Sequence, residues 1–157
     1  MPSVLFVCTA NQFRSPLASA LFSMRLNEKG KMNDWKVSSA GTWVKEEKGA
    51  HPIAILLADQ LNLDLKNHVT REISNTMIKE TDLIIVMSAG QKEALQFEFS
   101  EDKAKIVMLT ELTGNGVSDI ADPAMSDFEN SNEVVADLSA EINKAFDKII
   151  SLVEKTN

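Results

Sequence analysis

The sequence is poor in reactive and ring-bearing side chains. It has one cysteine, Cys8, no tyrosine, two histidines and three arginines. A single thiol cannot close an internal disulfide, which fits a reducing compartment and makes a cytoplasmic location the expectation. The lack of tyrosine excludes control by phosphorylation of the chain's own tyrosines. No cluster of His, Cys and carboxylates has metal-ligand spacing, so neither a metal nor a cofactor is expected. No apolar run approaches the roughly 18 residues of a membrane span. The first residues are apolar only as far as Val7–Cys8, with no basic stretch and no cleavage pattern, so a secretory leader is not expected. Basic residues are also scarce, with 16 Lys and Arg against 23 Asp and Glu, a net charge of -7. That balance argues against a nucleic-acid partner. Most of the acidic surface serves solubility, and a local positive site for an anion becomes more telling against it.

The 157 residues, 44% hydrophobic and 25% charged, are those of a globular chain with one domain over 1–157. Ser3–Cys8 is a short apolar run ending in polar residues, a buried strand followed by a loop. After the loop Thr9–Arg14, Ser15 suits a helix N-cap and Pro16 the first helical position. Leu17, Leu21 and Met24 then share one face until Glu28–Gly30. Lys36–Ser39 is a second strand, closed by Ala40-Gly41, and Pro52–Leu63 a core helix. Asp82–Met87 is the clearest buried strand, Gln91–Phe97 a short helix, and Lys105–Leu109 a fourth strand. Val135, Leu138, Ile142, Phe146, Ile149 and Val153 recur at helical spacing and predict a long amphipathic C-terminal helix. Strands alternating with helices predict an α/β fold. In it a four-stranded parallel sheet is flanked by helices on both faces, as three layers. Thr113–Ser131 is the longest weakly patterned stretch, and such loops are often functional.

Ligands in such sheets bind beyond the carboxyl ends of the strands, which directs attention to the first loop. It reads CTANQFRSP, with five residues between Cys8 and Arg14. A loop curling into a helix N-terminus aims unpaired backbone N–H groups and the positive end of the dipole at one point, where an oxyanion binds. A thiol in that field is activated. Free thiols titrate near 8.5 and reactive ones at roughly 3.5–7.5. The planar fork of Arg14 can grip two phosphoryl oxygens at once. A sulfur nucleophile and an oxyanion cradle within seven positions suit phosphoryl transfer to sulfur followed by hydrolysis.

The loop resembles the Cys-x5-Arg-Ser signature of the low-molecular-weight protein tyrosine phosphatases. Ser38–Thr42 (SSAGT) resembles that family's second-strand motif, DLIIVM at Asp82–Met87 its third strand, and Asp122-Pro123 its catalytic Asp-Pro. The resemblance implies a phosphatase I-like fold and hydrolysis of phosphotyrosine, in a protein or as a small aryl phosphate, releasing inorganic phosphate. It implies Cys8 as nucleophile, Arg14 as phosphate clamp and Asp122 as general acid and base. Thr9, Ala10, Asn11, Gln12, Phe13, Arg14 and Ser15 would line the cradle. Asn11 would hold the loop's shape with support from Ser39 and His68, and Ser15 would donate to the sulfur. No metal, nucleic acid or membrane enters this scheme.

Plainer readings stand beside these. Cys8 could be a buried structural thiol, and Arg14 a surface residue at a helix start, where a cation opposes the dipole unless an anion offsets it. Asp122-Pro123 could be an ordinary turn, with Asp119 or Asp127 as substitute acids, though neither precedes proline. His68 is a supporting hydrogen-bond residue or a surface histidine, and His51 before Pro52 belongs to a turn. Trp43 is a wall of the substrate cleft or an ordinary packing residue. Met77 and Met87 fill the core.

The chain departs from the family in three places. Phe13 stands where many members carry a second loop cysteine, so no disulfide can form within the loop. Ala10 replaces the usual glycine, a constraint if positive φ is needed there. Ala124 and Met125 follow Asp122-Pro123 where aromatics often grip the substrate ring. Two rivals share the loop. One is an arsenate reductase, which would need an external thiol because Cys8 has no internal partner. The other is a non-catalytic oxyanion-binding module, which would not need Asp122.

Overall fold

The computed structural model describes residues 1–114, 119–122 and 128–156, with the side chains of 128 and 129 left aside. Its sheet holds β1 (Ser3–Cys8), β2 (Lys36–Gly41), β3 (Leu83–Val86) and β4 (Ile106–Met108), in the order β2-β1-β3-β4. Every pairing is parallel. Six helices accompany it among the described residues: α1 (Arg14–Glu28), α2 (Pro52–Gln60), α3 (Asn75–Glu80), α4 (Ala89–Glu98), α5 (Leu109–Leu112) and α6 (Phe128–Thr156). All six residues of β1 and all four of β3 are buried. A parallel strand covered by helices on both faces has no polar side, hence the unbroken apolar runs.

Alternate residues of β1 feed two cores. Val4, Phe6 and Cys8 pack toward α1, α2 and α6, with Leu17, Phe22, Leu57, Leu138, Phe146 and Ile149. Leu5 and Val7 face the other way, toward Ile78 of α3 and Leu95 of α4. Phe22 centres the larger core, with ring centroids 5.7 Å from Phe6, 5.7 Å from Trp35 and 5.2 Å from Phe146. These separations suit tilted aromatic pairs.

The chain leaves β1 to form β2 on one side, then returns to form β3 on the other. The strand order therefore reverses beside β1, and the crevice at that switch point opens at the end where Cys8 lies. In register, Cys8 is opposite Gly41. A Cβ on Gly41 would lie 2.6 Å from the Thr9 carbonyl oxygen, 2.7 Å from Val44 Cγ2 and 3.1 Å from Asn11 Cβ. The end of β2 thus passes against the loop after β1 so closely that only glycine fits.

Several boundaries differ from the sequence reading. β2 runs on through Gly41 because its pairing with β1 continues to Cys8. α1 begins at Arg14, with Phe13 as N-cap and no side-chain cap bond, so Ser15 is not the cap. Its hydroxyl is taken by partners described below. α3 and α5 span six and four residues, too short for their periodicity to stand out. The weakly patterned stretch Thr113–Ser131 ends sooner than expected, since α6 begins at Phe128. No helix among the described residues is long and apolar enough to cross a membrane.

Gly41→Ala is expected to destabilise the protein by about 1–3 kcal/mol, the usual cost of overpacking. Urea unfolding checks this. Activity should fall with it, because two of the three crowded atoms belong to the loop.

Candidate active site

The loop from Cys8 to Arg14 is shaped by where its carbonyl groups go. The Cys8 oxygen accepts from Thr42 N–H (2.9 Å), Thr9 from Trp43 (3.0 Å), Gln12 from His51 (2.9 Å) and Phe13 from Leu17 (3.2 Å). The Asn11 oxygen accepts from the His68 ring at 2.7 Å. Four of these carbonyls are thus drawn to the surrounding scaffold, and that of Phe13 opens the hydrogen-bond ladder of α1. In a trans peptide the next residue's N–H points the opposite way. The N–H groups of Thr9, Ala10, Gln12, Phe13 and Arg14 therefore face the other side of the loop. That side carries a cleft of about 80 Å³, lined by Cys8, Thr9, Ala10, Gln12, Phe13, Arg14, His51 and Asp122. Inward amides ahead of an uncapped helix start make an oxyanion nest.

Asn11 fixes the bend. It is fully buried, and its φ of 59° lies in the left-handed region. Its Nδ2 donates to Ser15 Oγ (2.8 Å) and Ser39 Oγ (3.0 Å), and its Oδ1 accepts from Arg71 N–H (3.0 Å). Asparagine tolerates this conformation better than other side-chain-bearing residues, and here every polar atom of its amide is used. The positive φ falls on Asn11 and not on Ala10, so alanine at position 10 carries no such constraint.

Ser39 and His68 both hydrogen-bond Asn11. A carbonyl only accepts, so His68 donates through Nε2–H and Nδ1 is unprotonated in the neutral ring. Burial lowers the His68 pKa, the bond to Asn11 raises it, and the nearby Arg71 charge lowers it again, with a net downward shift. Arg71 was not singled out from the sequence. Its Nε donates to the Ser39 carbonyl at 3.0 Å and its N–H holds Asn11. No spacing signal marks it, because the contact crosses 60 residues of chain.

Cys8 Sγ lies 3.0 Å from Ser15 Oγ. That hydroxyl already accepts from Asn11, and its single proton can go to the sulfur or to the Ala40 carbonyl 3.3 Å away. An ionised sulfur would draw it. Arg14 is 5% exposed. Its Nη1 donates to the Ile120 carbonyl at 3.0 Å, and its Nη2 lies 3.5 Å from Asp122 Oδ2. Cys8, Arg14 and Asp122 thus share one cleft across more than a hundred residues of sequence. Pro123, Ala124, Met125 and Asp127 lie outside the described residues. Asp119 is held at the start of α4, where its Oδ1 accepts from Ala89 N–H at 2.9 Å.

Trp43 is 64% exposed and lines a cleft with Ala10, Gln12, Val44, Lys45 and Lys48, which adjoins the Cys8 cleft through Ala10 and Gln12. Phe13 and His51 stand beside Cys8 itself, with ring centroids 6.3 Å apart. His51 does serve the turn, since its Nδ1 accepts from Ile53 N–H at 3.1 Å and caps α2. Its place in the cleft had no signal beyond that His-Pro start. Among the described residues no group of three or more His, Cys, Asp or Glu is placed to hold a metal ion.

A family described as low molecular weight phosphotyrosine protein phosphatase matches residues 3–157. The chain belongs to the low molecular weight phosphotyrosine protein phosphatase family. It is therefore a metal-independent phosphatase of the kind that family comprises, with the three-layer α/β fold of its members. Similar relatives include a protein-arginine-phosphatase of Bacillus subtilis, 29% identical over 76% of this chain and 78% of its own. Another is the low molecular weight protein-tyrosine-phosphatase Wzb of Escherichia coli K12, 34% identical over 68% of each chain. Among solved structures, the low molecular weight protein tyrosine phosphatase of T. tengcongensis superposes with a TM-score of 0.85 at 30% identity. The match covers 94% of this chain and 99% of its own.

Two tests address the Asn11 network. Asn11→Ala loses three side-chain bonds and the tolerance for positive φ, so about 3 kcal/mol or more of unfolding free energy should disappear. Asn11→Gly should regain the part owed to φ. For His68 the folded pKa lies below the ordinary value of about 6.5, so the unfolded chain takes up its proton first. Stability is then fully present above pH ~6.5 and lost as pH falls through the lower folded value. Denaturant midpoints between pH 5 and 8 should fall more steeply toward acid for the parent protein than for His68→Gln.

Proposed function

We propose that this phosphatase hydrolyses aryl phosphate monoesters, phosphotyrosine in a protein or a small aryl phosphate, through a phosphocysteine on Cys8. The observation that carries this reading is the convergence of Cys8, Arg14, Asp122 and the inward-facing loop amides in one cleft. In the first step the ionised Cys8 Sγ attacks phosphorus. The S–P bond forms as the P–O bond to the aryl group breaks, and the Asp122 carboxyl gives its proton to the departing oxygen. In the second step water attacks the phosphocysteine. The Asp122 carboxylate takes the water's proton, the S–P bond breaks, and inorganic phosphate leaves.

The surrounding groups suit these steps. Ser15 Oγ, 3.0 Å away, can donate to the sulfur anion. Arg14 keeps Nη1 on the Ile120 carbonyl, so its Nη2 can turn from Asp122 to the phosphoryl oxygens. The loop amides are fixed before substrate arrives, and such preorganised donors stabilise charge as it develops. Every step depends on a free thiol, which suits a reducing compartment such as the cytoplasm.

A second reading replaces the aryl ester with phosphoarginine. The named activity of the Bacillus subtilis relative raises it. The Asp122 side chain, 50% exposed at the cleft, is a carboxylate that a guanidinium leaving group could pair with. Arsenate reduction would require an external thiol, since Cys8 is the one cysteine of the chain.

The deciding assay compares one peptide carrying phosphotyrosine or phosphoarginine, in chelator, between pH 5 and 8. Faster release of phosphate from the tyrosine form is expected, and faster release from the arginine form would install the second reading. Cys8→Ser should abolish turnover while retaining vanadate binding, and turnover surviving it would sink the mechanism. Asp122→Ala should slow poor aryl leaving groups by about 10²–10³-fold, within the range for lost acid catalysis.

A further inference from the structure

Gln91 lies in the first turn of α4 and is 7% exposed. Its backbone is pinned, because the N-cap Ser88 Oγ accepts Gln91 N–H at 3.2 Å. Its side-chain Oε1 accepts Met87 N–H at 2.9 Å. A backbone N–H only donates, so this bond fixes which end of the amide is oxygen and turns Nε2 the other way. Nε2 there donates to Thr9 Oγ1 at 3.0 Å, in the phosphate loop. Met87 in turn carries the acid segment, since its carbonyl accepts Ile120 N–H at 2.8 Å. The Ile120 carbonyl accepts from Arg14 Nη1 at 3.0 Å. Two residues beyond Ile120 stands Asp122. Asp119 adds a second tie on the same junction through Ala89 N–H.

These bonds form a closed circuit: Thr9, Gln91, Met87, Ile120 and Arg14, which rejoins the phosphate loop. Phosphorus is located by the loop and the proton by the acid segment. Their separation is spanned by one side-chain amide on one side and one guanidinium on the other. We propose that Gln91 is a positioning residue for proton transfer, setting the acid segment at its working distance from the phosphate loop. The proposal rests on the reading of Asp122 as general acid. A glutamine that merely satisfied Met87 N–H would need no partner in the loop, and its loss would lower stability without touching the chemistry selectively.

The test compares Gln91→Met, which keeps the volume and drops both bonds, with Thr9→Val, which drops the loop bond alone and leaves Met87 satisfied. One readout is amide hydrogen exchange at Ile120. The other is kcat across aryl phosphates from p-nitrophenyl phosphate, which leaves easily, to phenyl phosphate, which needs its proton. In both variants Ile120 should exchange faster. In both, the ratio of phenyl phosphate to p-nitrophenyl phosphate turnover should fall about tenfold, part of the roughly 10²–10⁴-fold that acid catalysis supplies. The double variant should be no steeper than Gln91→Met, because both cut the same link.

Unchanged Ile120 exchange in Thr9→Val overturns the link whatever Asp122 does, and that variant decides the matter if Gln91→Met fails to fold. Equal loss on both substrates also overturns it, as the mark of a structural role. Asp122→Ala serves as the control. If it leaves the leaving-group dependence unchanged, the general-acid reading has failed, and the positioning claim falls with it even where Ile120 exchange responds.

Discussion

At Asn11 the backbone turns through a left-handed conformation, and four hydrogen bonds to three different segments hold it there. The rest of the site follows from that turn. It reverses the chain between β1 and α1 within a few residues, sends carbonyls outward and amides inward, and leaves the first turn of α1 without a side-chain cap. Such a backbone is costly alone, because a left-handed residue and a ring of like-directed dipoles are both unfavourable. The cost is offset by burial of a fully satisfied amide, and the anion that the cradle awaits offsets the remainder. The partners of Asn11 are therefore as much part of the phosphate site as the residues that touch phosphate.

Topology explains why those partners can meet. The strand order reverses beside β1, so loops from both halves of the sheet reach the carboxyl end of one central strand. From one side come Gly41, Thr42 and Trp43, with Arg71 behind them. From the other come Met87, Gln91 and the segment through Ile120 to Asp122. Gly41 shows how tight the fit is, with backbone passing where any side chain would collide. Rigid strands thus fix a loop that carries no regular structure of its own.

Much of this was legible in the sequence. The unbroken apolar runs of β1 and β3 declare strands covered on both faces, and Cys8, Arg14 and Pro16 lie in one short stretch where spacing has meaning. The C-terminal helix announces itself by six apolar residues at helical period. What stayed hidden depends on long-range contact. Arg71 and Gln91 reach the loop across 60 and 82 residues, and no local pattern distinguishes them from surface neighbours. Ser15 illustrates a different limit. Its place before Pro16 suits a helix cap, but tertiary partners claimed the hydroxyl and the helix began two residues earlier. His51 is a related case, since which ring faces a cleft is decided by how a loop lies, not by its composition.

The absence of tyrosine gives the two tryptophans an optical role. Trp35 is 4% exposed, packed on Phe22 in the larger core. Trp43 is 64% exposed, stands with the Lys45 ammonium 4.8 Å from its ring centre, and donates its backbone N–H to Thr9 in the phosphate loop. With no phenol to contribute, intrinsic emission separates into a blue component from the interior and a red one from the rim of the site. The first registers melting of the core. The second, quenchable from solvent, registers events at the loop, so occupancy and unfolding can be followed in one cuvette without a label.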